Sequence, residues 1–303
     1  MNILSTSVKG GNFGDDLNNI LWDLLPKQNK SLPKDEAILG IGTHHYPNIQ
    51  KNIKRIHIFG CGSYLEDSTN WIGNKQVEIH FVRGPLTAKN WHCETKALTD
   101  TAILMLLTNL KDVPCRNSKK VGYIPHHRSS GYADFQRICD DANIELIDTR
   151  CNDLKKFISQ VKSCEFVITE ALHGAIVADI FRKPWVPVKS ASYINGFKWA
   201  DWCQSIKLIY NPKIINSVVT RGIRPINRVE NALKRSCALL NLGKARWREK
   251  RVMYDSHDKE MVLARQLDDI RNQSDWILSD DKTLDNLIDR AGEAWFKFSK
   301  ALI

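Results

Sequence analysis

Residues 165–181, EFVITEALHGAIVADIF, join a short apolar strand to an apolar helix with almost nothing between them. We predict the strand over residues 165–169 and the helix over residues 172–181. Short apolar strands that are followed at once by helices are typical of parallel sheets with crossover helices. Ligands bind beyond the carboxyl ends of parallel strands, so the polar residues at this junction are candidate site residues.

The same alternation extends over the first two thirds of the chain. Further strands are predicted at residues 2–5, 37–41, 55–59, 77–82, 120–124, 144–147 and 185–188. Further helices are predicted at residues 16–25, 85–91, 132–142 and 153–161. The last ~80 residues have a helical pattern. The chain is therefore predicted to be an α/β protein with a helical C-terminal extension.

The chain of 303 residues fits two domains better than one. The polar stretch Asn109–Lys119 contains Pro114 and precedes a new strand, so we expect a domain boundary there. We predict an N-terminal lobe over residues 1–115, a C-terminal lobe over residues 116–220 and an extension over residues 221–303.

The net charge of +10 is unevenly distributed, with +8 in residues 221–251, −4 in residues 252–303 and the remaining +6 spread over residues 1–220. Residues 221–251, the basic block, hold ten Lys or Arg and two acidic residues, whereas residues 252–303 hold seven basic and eleven acidic ones. Such a block binds anionic lipid or nucleic acid, and it is equally compatible with a solvated helix face. No nucleic-acid-binding motif accompanies it, so an anionic membrane is the favoured partner and nucleic acid is not expected.

The sequence also indicates where in the cell the protein is expected to be. The longest apolar run, Ala102–Leu107, is far shorter than the roughly 18 residues that a membrane span needs. The first residues show no secretion leader, and the eight cysteines are scattered without a C-x-x-C pair. We therefore expect a cytoplasmic protein with reduced thiols and no metal site, which contacts the inner membrane peripherally through the basic block.

The loop Lys9–Asn18 is rich in glycine and acidic residues. Asp15 and Asp16 are predicted at a helix start, where carboxylates complement the helix dipole but repel a phosphate. This loop suits a carboxylate that orients or deprotonates a sugar hydroxyl, with Asn12 as a neighbouring substrate-binding residue. Capping of the helix is the alternative, and it explains one aspartate more easily than both.

Two further loops carry candidate binding residues. The small residues of Phe59–Ser63 let backbone donors face a ligand, with Ser63 as the candidate side chain, although a structural turn explains this loop more simply. Arg83 precedes the helix that is predicted to start at Pro85. A guanidinium there can bind a carboxylate or phosphate through two parallel hydrogen bonds, and a surface ion pair is the alternative.

Glu170 and His173 are three residues apart and can share a face of the first helical turn. A helix N-terminus lowers the pKa of a histidine, and a nearby carboxylate or anion raises it. We therefore expect the pKa of His173 to lie near neutrality, where acid–base catalysis works best.

Other residues near strand ends can contribute to a binding site. His126 and His127 follow a predicted strand and can bind an anion together with Arg128. The segment Phe197–Trp202, which contains Lys198, can cover a sugar ring or pack in the core.

Six segments resemble the motifs of the polysaccharide pyruvyl transferase family, in that family's order. They are G-N-F-G-D-D at 11–16, G-x-G-S at 60–63, V-R-G-P-L-T at 82–87, T-D-T-A at 99–102, Y-I-P-H at 123–126 and E-A-L-H-G-A at 170–175. The matches cover roughly the first 200 residues. The K-W-x-D-W stretch at 198–202 further resembles members that decorate bacterial exopolysaccharide repeats.

The resemblance implies two Rossmann-like lobes in a glycosyltransferase-B-like fold, with the acceptor on the N-terminal lobe and the donor on the C-terminal lobe. It implies phosphoenolpyruvate as donor, no cofactor, and a pyruvate ketal on a sugar of a polysaccharide or of a lipid-linked oligosaccharide as product. The anion-binding arginine of the family corresponds to Arg83, its motif histidine to His173 and its early aspartate to Asp15. Many members carry an arginine where this chain has Ala171.

Ketal formation assigns a role to each of these residues. Arg83 and the His126–Arg128 loop are expected to hold the donor, with Lys198 also available to replace the missing arginine charge. His173 is expected to protonate the methylene carbon, and Asp15 to deprotonate the sugar hydroxyls, with Asp16 or Glu170 as substitutes. The alternative functions are a nucleotide-sugar glycosyltransferase on the same fold and a non-catalytic carbohydrate- or nucleic-acid-binding protein.

Overall fold

The computed structural model describes residues 2–5, 11–26, 31–42, 51–63, 74–116, 118–130, 133–150, 153–218, 220–222, 252–254, 257–272 and 276–302. These residues form an α/β protein with two parallel sheets, as predicted. The first sheet has the order β1-β2-β3-β4, from Ile3–Leu4 (β1), Glu36–Leu39 (β2), Arg55–Phe59 (β3) and Gln76–Phe81 (β4).

The second sheet is built from the chain that follows. Its strands are Val121–Ile124 (β5), Glu145–Leu146 (β6), Phe166–Thr169 (β7), Trp185–Lys189 (β8) and Lys213–Ile214 (β9), in the order β6-β5-β7-β8-β9. Every strand pair in it is parallel. A short antiparallel pair, Thr220–Gly222 (β10) and Val252–Tyr254 (β11), stands outside both sheets.

Eight α-helices fall within the described residues. They are Phe13–Leu24 (α1), Pro85–Asn90 (α2), Phe135–Asp141 (α3), Leu154–Ser163 (α4), Leu172–Ile180 (α5), Gly196–Ser205 (α6), His257–Arg271 (α7) and Asp281–Ala301 (α8). Short 3₁₀ segments follow α2 at Glu94–Lys96, Thr101–Leu107 and Asn109–Asp112. The helices alternate with the strands because parallel neighbours need a crossover connection between them.

Helix α1 begins three residues before its predicted start. Asn12 has an extended backbone and acts as the N-cap, so Asp15 and Asp16 lie inside the first turn. Helix α3 begins later than predicted, at Phe135, because the Asp134 side chain accepts the backbone N–H of Arg137 and caps the helix there.

The two C-terminal helices pack into the two halves of the molecule. On α8, Trp295 and Phe298 lie against Phe59 of the first sheet, and Trp295 Nε1 donates to the carbonyl oxygen of Pro26 at 2.7 Å. Helix α7 packs against α3 beside the second sheet and buries Leu267 there. These helices therefore complete the apolar cores of both halves.

The described residues include little of the segment that is predicted to contact a membrane. Most of the basic block, residues 223–251, lies outside the described residues. Among the helices that the structure describes, none combines the length and apolar character of a membrane-crossing segment. The structure shows no disulfide among the six cysteines in the described ranges, and four of them are buried.

Candidate functional site

A cavity of about 450 Å³ lies beside the N-terminus of α1, at the loops that follow β4, β5, β7 and β8. Parallel sheets bind ligands at this edge because the loops there bring side chains from several strands together. Eight of the ten residues predicted for the site line this cavity, namely Asn12, Asp15, Arg83, His126, His127, Glu170, His173 and Lys198. Asp16 and Ser63 do not line it.

The first turn of α1 connects the two halves of the molecule beside this cavity. The backbone N–H of Phe13 donates to the carbonyl oxygen of Thr149 at 3.0 Å, and the Phe13 ring stacks on Phe157 with 4.1 Å between centroids. Helix α1 follows β1 of the first sheet, whereas Thr149 and Phe157 flank β6 and β7 of the second. The acidic residues of this turn therefore lie where the two halves meet.

The two aspartates of α1 have different partners. The Asn12 side-chain amide donates to Asp15 Oδ2 at 2.9 Å, whereas the Asn12 backbone N–H donates to Asp16 Oδ2 at 3.1 Å. Asp16 thus satisfies the helix terminus, and Asp15 lines the cavity. This geometry favours Asp15 over Asp16 for the role of base.

His173, in the first turn of α5, lies directly against α1. A Cβ atom at Gly14 would overlap the imidazole, so glycine is what allows α1 to approach the ring this closely. The Nε2 atom of His173 lies 3.8 Å from Oδ2 of the buried Asp100. Neither Gly14 nor Asp100 is predicted from the sequence to have a role, although each lies within a family-like motif.

His173 and Asp15 influence one another's protonation. Burial lowers the pKa of His173, and the negative charges of Asp100 and Asp15 partly offset this effect. Burial likewise raises the pKa of Asp15, against the opposing charge of His173. The pKa of His173 is therefore lower than the near-neutral value predicted from the sequence. A ligand that brings negative charge beside the ring raises it again.

Arg83 is held by a buried carboxylate rather than by a surface ion pair. Its Nε donates to Asp201 Oδ2 at 3.1 Å, and both side chains are at most 1% exposed. Asp201 also accepts the backbone N–H of Thr87 at 2.9 Å and its hydroxyl at 2.6 Å. A Cβ atom at Gly62 would overlap the guanidinium, so the Phe59–Ser63 loop supplies the room that Arg83 occupies.

Glu170 lines the cavity but is bound to the histidine loop. Its carboxylate accepts the backbone N–H of His126 at 2.9 Å and the hydroxyl of Ser129 at 3.1 Å. Burial raises the pKa of Glu170, and these hydrogen bonds partly offset the effect. The arrangement favours a positioning role for Glu170 over the substitute-base role expected from the sequence.

The two histidines of this loop lie in contact, with ring centroids 4.2 Å apart. Burial lowers the pKa of His126 to about 3 and that of His127 to about 4. Both rings are therefore neutral at pH 7 and can offer hydrogen bonds to an anion but no charge. This favours Lys198 and Arg128 over the two histidines as the residues that replace the missing arginine charge.

Positive charge at the cavity comes from Arg83, Arg128 and Lys198. Burial lowers the pKa of Lys198 to about 8, and the neighbouring charge of Arg83 acts in the same direction while Asp15 opposes it. Ala171, which stands where many family members have arginine, is the N-cap of α5 and also lines the cavity. Lys198 thus offers a cation at the same cavity from α6.

The aromatic residues of α6 are mostly core residues. Trp202 is buried against Trp185 at 5.3 Å between centroids, and Trp199 stacks on Tyr210 at 5.2 Å. Trp199 also lines the cavity, so of these two tryptophans it is the one that can contact a ligand. The packing alternative therefore holds for Trp202.

Ser63 lies behind the cavity wall instead of in it. Its backbone N–H donates to the Thr87 hydroxyl at 3.0 Å, and its own hydroxyl accepts from Asn90 Nδ2 at 2.9 Å. The side chain is fully buried, so no direct contact with a ligand is available to it. These contacts indicate that Ser63 anchors its loop to α2.

Comparison with known proteins gives two matches. Residues 11–192 match the family described as "Polysaccharide pyruvyl transferase", which is more than half of the chain. The chain is also 32% identical over 208 residues to "Succinoglycan biosynthesis protein ExoV" of Rhizobium meliloti (strain 1021), covering 67% of this chain and 64% of that relative. The match thus spans slightly less than two thirds of the relative. The family match includes every cavity residue named above up to His173 and ends before Lys198.

Proposed function

The chain belongs to the polysaccharide pyruvyl transferase family, and from this premise we propose that it transfers pyruvate from phosphoenolpyruvate onto two hydroxyls of one sugar as a ketal. The observation that carries the proposal is the composition of the cavity wall. Cationic side chains (Arg83, Arg128 and Lys198) share one cavity with an interacting imidazole and carboxylate (His173 and Asp15). Such a set can bind a small dianion and exchange protons beside it.

The proposed reaction begins with protonation of the donor. His173 gives a proton to the methylene carbon, which becomes a methyl group, and the first sugar hydroxyl forms a C–O bond to the central carbon. Asp15 accepts the proton of that hydroxyl. The bond from carbon to the phosphate oxygen then breaks, and inorganic phosphate leaves with the proton that Asp15 accepted. The second hydroxyl attacks the same carbon and gives its proton to His173, which restores the acid. The products are a cyclic ketal and inorganic phosphate.

The side chains at the cavity support these roles. Burial lowers the pKa of His173, and the negative charge of a bound donor raises it, so the ring can take up a proton beside the donor and release it during the reaction. The raised pKa of Asp15 makes it a better base than an exposed aspartate. Arg83 and Lys198 stabilise the leaving phosphate electrostatically, in a cavity whose buried walls strengthen that interaction.

We further propose that the two sheets are the lobes of a glycosyltransferase-B-like arrangement, with the reaction in the cavity where they meet. The name of the relative refers to succinoglycan biosynthesis. We therefore propose that the acceptor is an exopolysaccharide repeat, free or lipid-linked. A cytoplasmic location with peripheral contact at an anionic membrane stays part of this proposal, since the basic block that motivates it lies outside the described residues.

The proposal is tested by incubating the purified chain with phosphoenolpyruvate and a panel of sugar acceptors. We expect release of inorganic phosphate that depends on the acceptor, together with a gain of pyruvate in the mass of the sugar. A parallel panel of nucleotide sugars replaces the donor as a control. Transfer of a glycosyl group in that panel, with no pyruvate transfer in the first, would establish the alternative glycosyltransferase function instead.

The pH dependence of donor binding should follow the protonation state of Lys198. Its pKa of about 8 means that its charge is present below that pH and is lost as the pH rises through it. We therefore expect kcat/KM for phosphoenolpyruvate to fall between about pH 7 and about pH 9, because kcat/KM follows the free enzyme. The corresponding fall in kcat is expected at higher pH than the fall in kcat/KM, because the bound anion raises the pKa of Lys198.

The matched variant for this test is Lys198→Arg, which keeps the charge over the whole range. Its kcat/KM profile is expected to lose the fall near pH 8, whereas Lys198→Met should have low kcat/KM at every pH. A wild-type profile that persists in Lys198→Arg would remove Lys198 from donor capture.

A further inference from the structure

A second polar cluster lies within the first sheet. It consists of His57 on β3 with Glu78 and His80 on β4, and we call it the β3–β4 histidine cluster. His57 is the register partner of Glu78, and His80 lies two residues further along the same face of β4. The three residues border a cavity of about 430 Å³, and no described residue lines both this cavity and the candidate functional site.

The ligand atoms of this cluster converge. His57 Nδ1 lies 3.3 Å from His80 Nε2 and 3.4 Å from Glu78 Oε2, and His80 Nε2 lies 3.8 Å from Glu78 Oε1. In a tetrahedral Zn²⁺ site with bonds of about 2.0–2.1 Å, neighbouring ligand atoms lie about 3.3–3.4 Å apart. The observed separations therefore need little adjustment to surround one metal ion.

A fourth residue orients His57 for this task. Its Nε2 lies 2.7 Å from Oε2 of Glu36, on the neighbouring strand β2, and donates its proton to that carboxylate. The Nδ1 lone pair then faces His80 and Glu78. Metal-binding histidines commonly donate their second ring N–H to a carboxylate in this way. When no metal is bound, His80 Nε2 can donate to the same lone pair.

Aromatic rings keep the two imidazoles in place. His80 stacks on Phe59 with 4.2 Å between centroids and 11° between ring planes. Phe298 of α8 lies against His57 at 4.7 Å and against His80 at 5.1 Å. Because packing restricts both rings, little rotamer freedom remains to be lost when a ligand binds.

We propose that the β3–β4 histidine cluster binds one divalent transition-metal ion of the Zn²⁺ class through His57 Nδ1, His80 Nε2 and the Glu78 carboxylate. Two imidazoles and one carboxylate suit Zn²⁺, whereas Mg²⁺ and Ca²⁺ prefer oxygen ligands alone. Three protein ligands leave a fourth position toward the cavity. Lys96 and Lys297 line that cavity, and their positive charge favours an anionic fourth ligand.

No metal site is predicted from the sequence, and the register of the strands explains why this cluster has no sequence signal. His57 and His80 are 23 residues apart, a spacing that matches no metal-binding motif. They become neighbours only through the parallel pairing of β3 and β4. Glu36 enters from a third strand, which no local pattern links to either histidine.

The test is a titration of the full-length chain, freed of metal with a chelator, with Zn²⁺ in a calorimeter and with Co²⁺ in a spectrophotometer. We expect one Zn²⁺ per chain and a tetrahedral Co²⁺ spectrum without thiolate charge-transfer absorption. Glu36→Gln should weaken binding by roughly 10–100-fold, and the ligand substitutions Glu78→Gln and His80→Gln by more. Glu94→Gln, an exposed carboxylate outside the cluster, is the matched control and should bind as the wild type does.

Zn²⁺ should also raise the melting temperature of the wild type but not of His80→Gln, because a ligand that binds the native state stabilises it. Melting without metal checks that each variant is folded. Wild-type Zn²⁺ affinity in both ligand variants would overturn the proposal, as would a thiolate band with Co²⁺. These readouts do not depend on pyruvyl transfer, so either proposal can fail alone.

Discussion

Replacing His173 with asparagine should lower kcat for pyruvyl transfer by about 10²–10⁴-fold, the contribution that a positioned general acid usually makes. Asparagine keeps a polar side chain beside α1 but cannot deliver a proton to carbon. Donor affinity, measured by calorimetric titration with phosphoenolpyruvate, is expected to change far less, because the charges that hold the donor belong to other residues. The measurement is phosphate release at saturating donor and acceptor.

The matched control for this variant is His92→Asn. His92 is exposed and has a positive φ of 53°, a conformation that asparagine tolerates well. Its kcat is expected to equal that of the wild type. Near-normal turnover in His173→Asn, with an unchanged melting temperature, would contradict the assignment of His173 as the acid.

The fold class follows from local patterns because parallel sheets bury short apolar strands on both faces. The segment 165–181 illustrates this, since β7 and α5 lie within one residue of their predicted bounds. Helix α1 departs further, because Asn12 is its N-cap and the Asp16 carboxylate accepts the Asn12 backbone N–H, which places both Asp15 and Asp16 in the first turn. Helix ends depend on such side-chain contacts, which hydrophobic periodicity does not contain.

Much of the candidate site could also be predicted, because strand ends of one parallel sheet share an edge. That rule brings His126, Glu170 and His173 of the second sheet to one cavity, whereas Arg83 follows β4 of the first sheet and reaches the cavity because the two halves meet there. It fails for Ser63, whose hydroxyl and backbone are used by Asn90 and Thr87. Whether a polar side chain at a strand end faces a ligand or a neighbouring helix depends on tertiary contacts.

The residues that hold the site in shape could not be found from the sequence. Asp201 is 118 positions from Arg83, and Gly14 matters only because α1 meets α5 at His173. Each contact crosses between the two halves of the molecule. These residues meet their partners only when the two halves fold against each other, so neither residue has a local sequence pattern that identifies its partner.

Replacing Asp201 with asparagine should destabilise the protein and weaken donor binding together. The substitution removes the negative charge of the buried carboxylate that binds the Arg83 guanidinium, and breaking a buried ion pair in this way usually costs about 3–5 kcal/mol. Since Asp201 also fixes the orientation of that guanidinium, we expect the donor dissociation constant to rise. Chemical denaturation gives the free energy of unfolding, and calorimetric titration with phosphoenolpyruvate gives the affinity.

A double variant separates the two effects. In Arg83→Met with Asp201→Asn no charge is left unpaired, and the asparagine can still accept the backbone N–H of Thr87 and donate to its hydroxyl. We therefore expect much of the lost stability to return, because the penalty arises from the uncompensated charge. Donor affinity should stay low, since the guanidinium that is proposed to bind the donor is gone. Wild-type donor affinity in the double variant would mean that the buried pair serves the architecture of α2 and α6 alone, and the donor would then have to be held by Lys198 and Arg128.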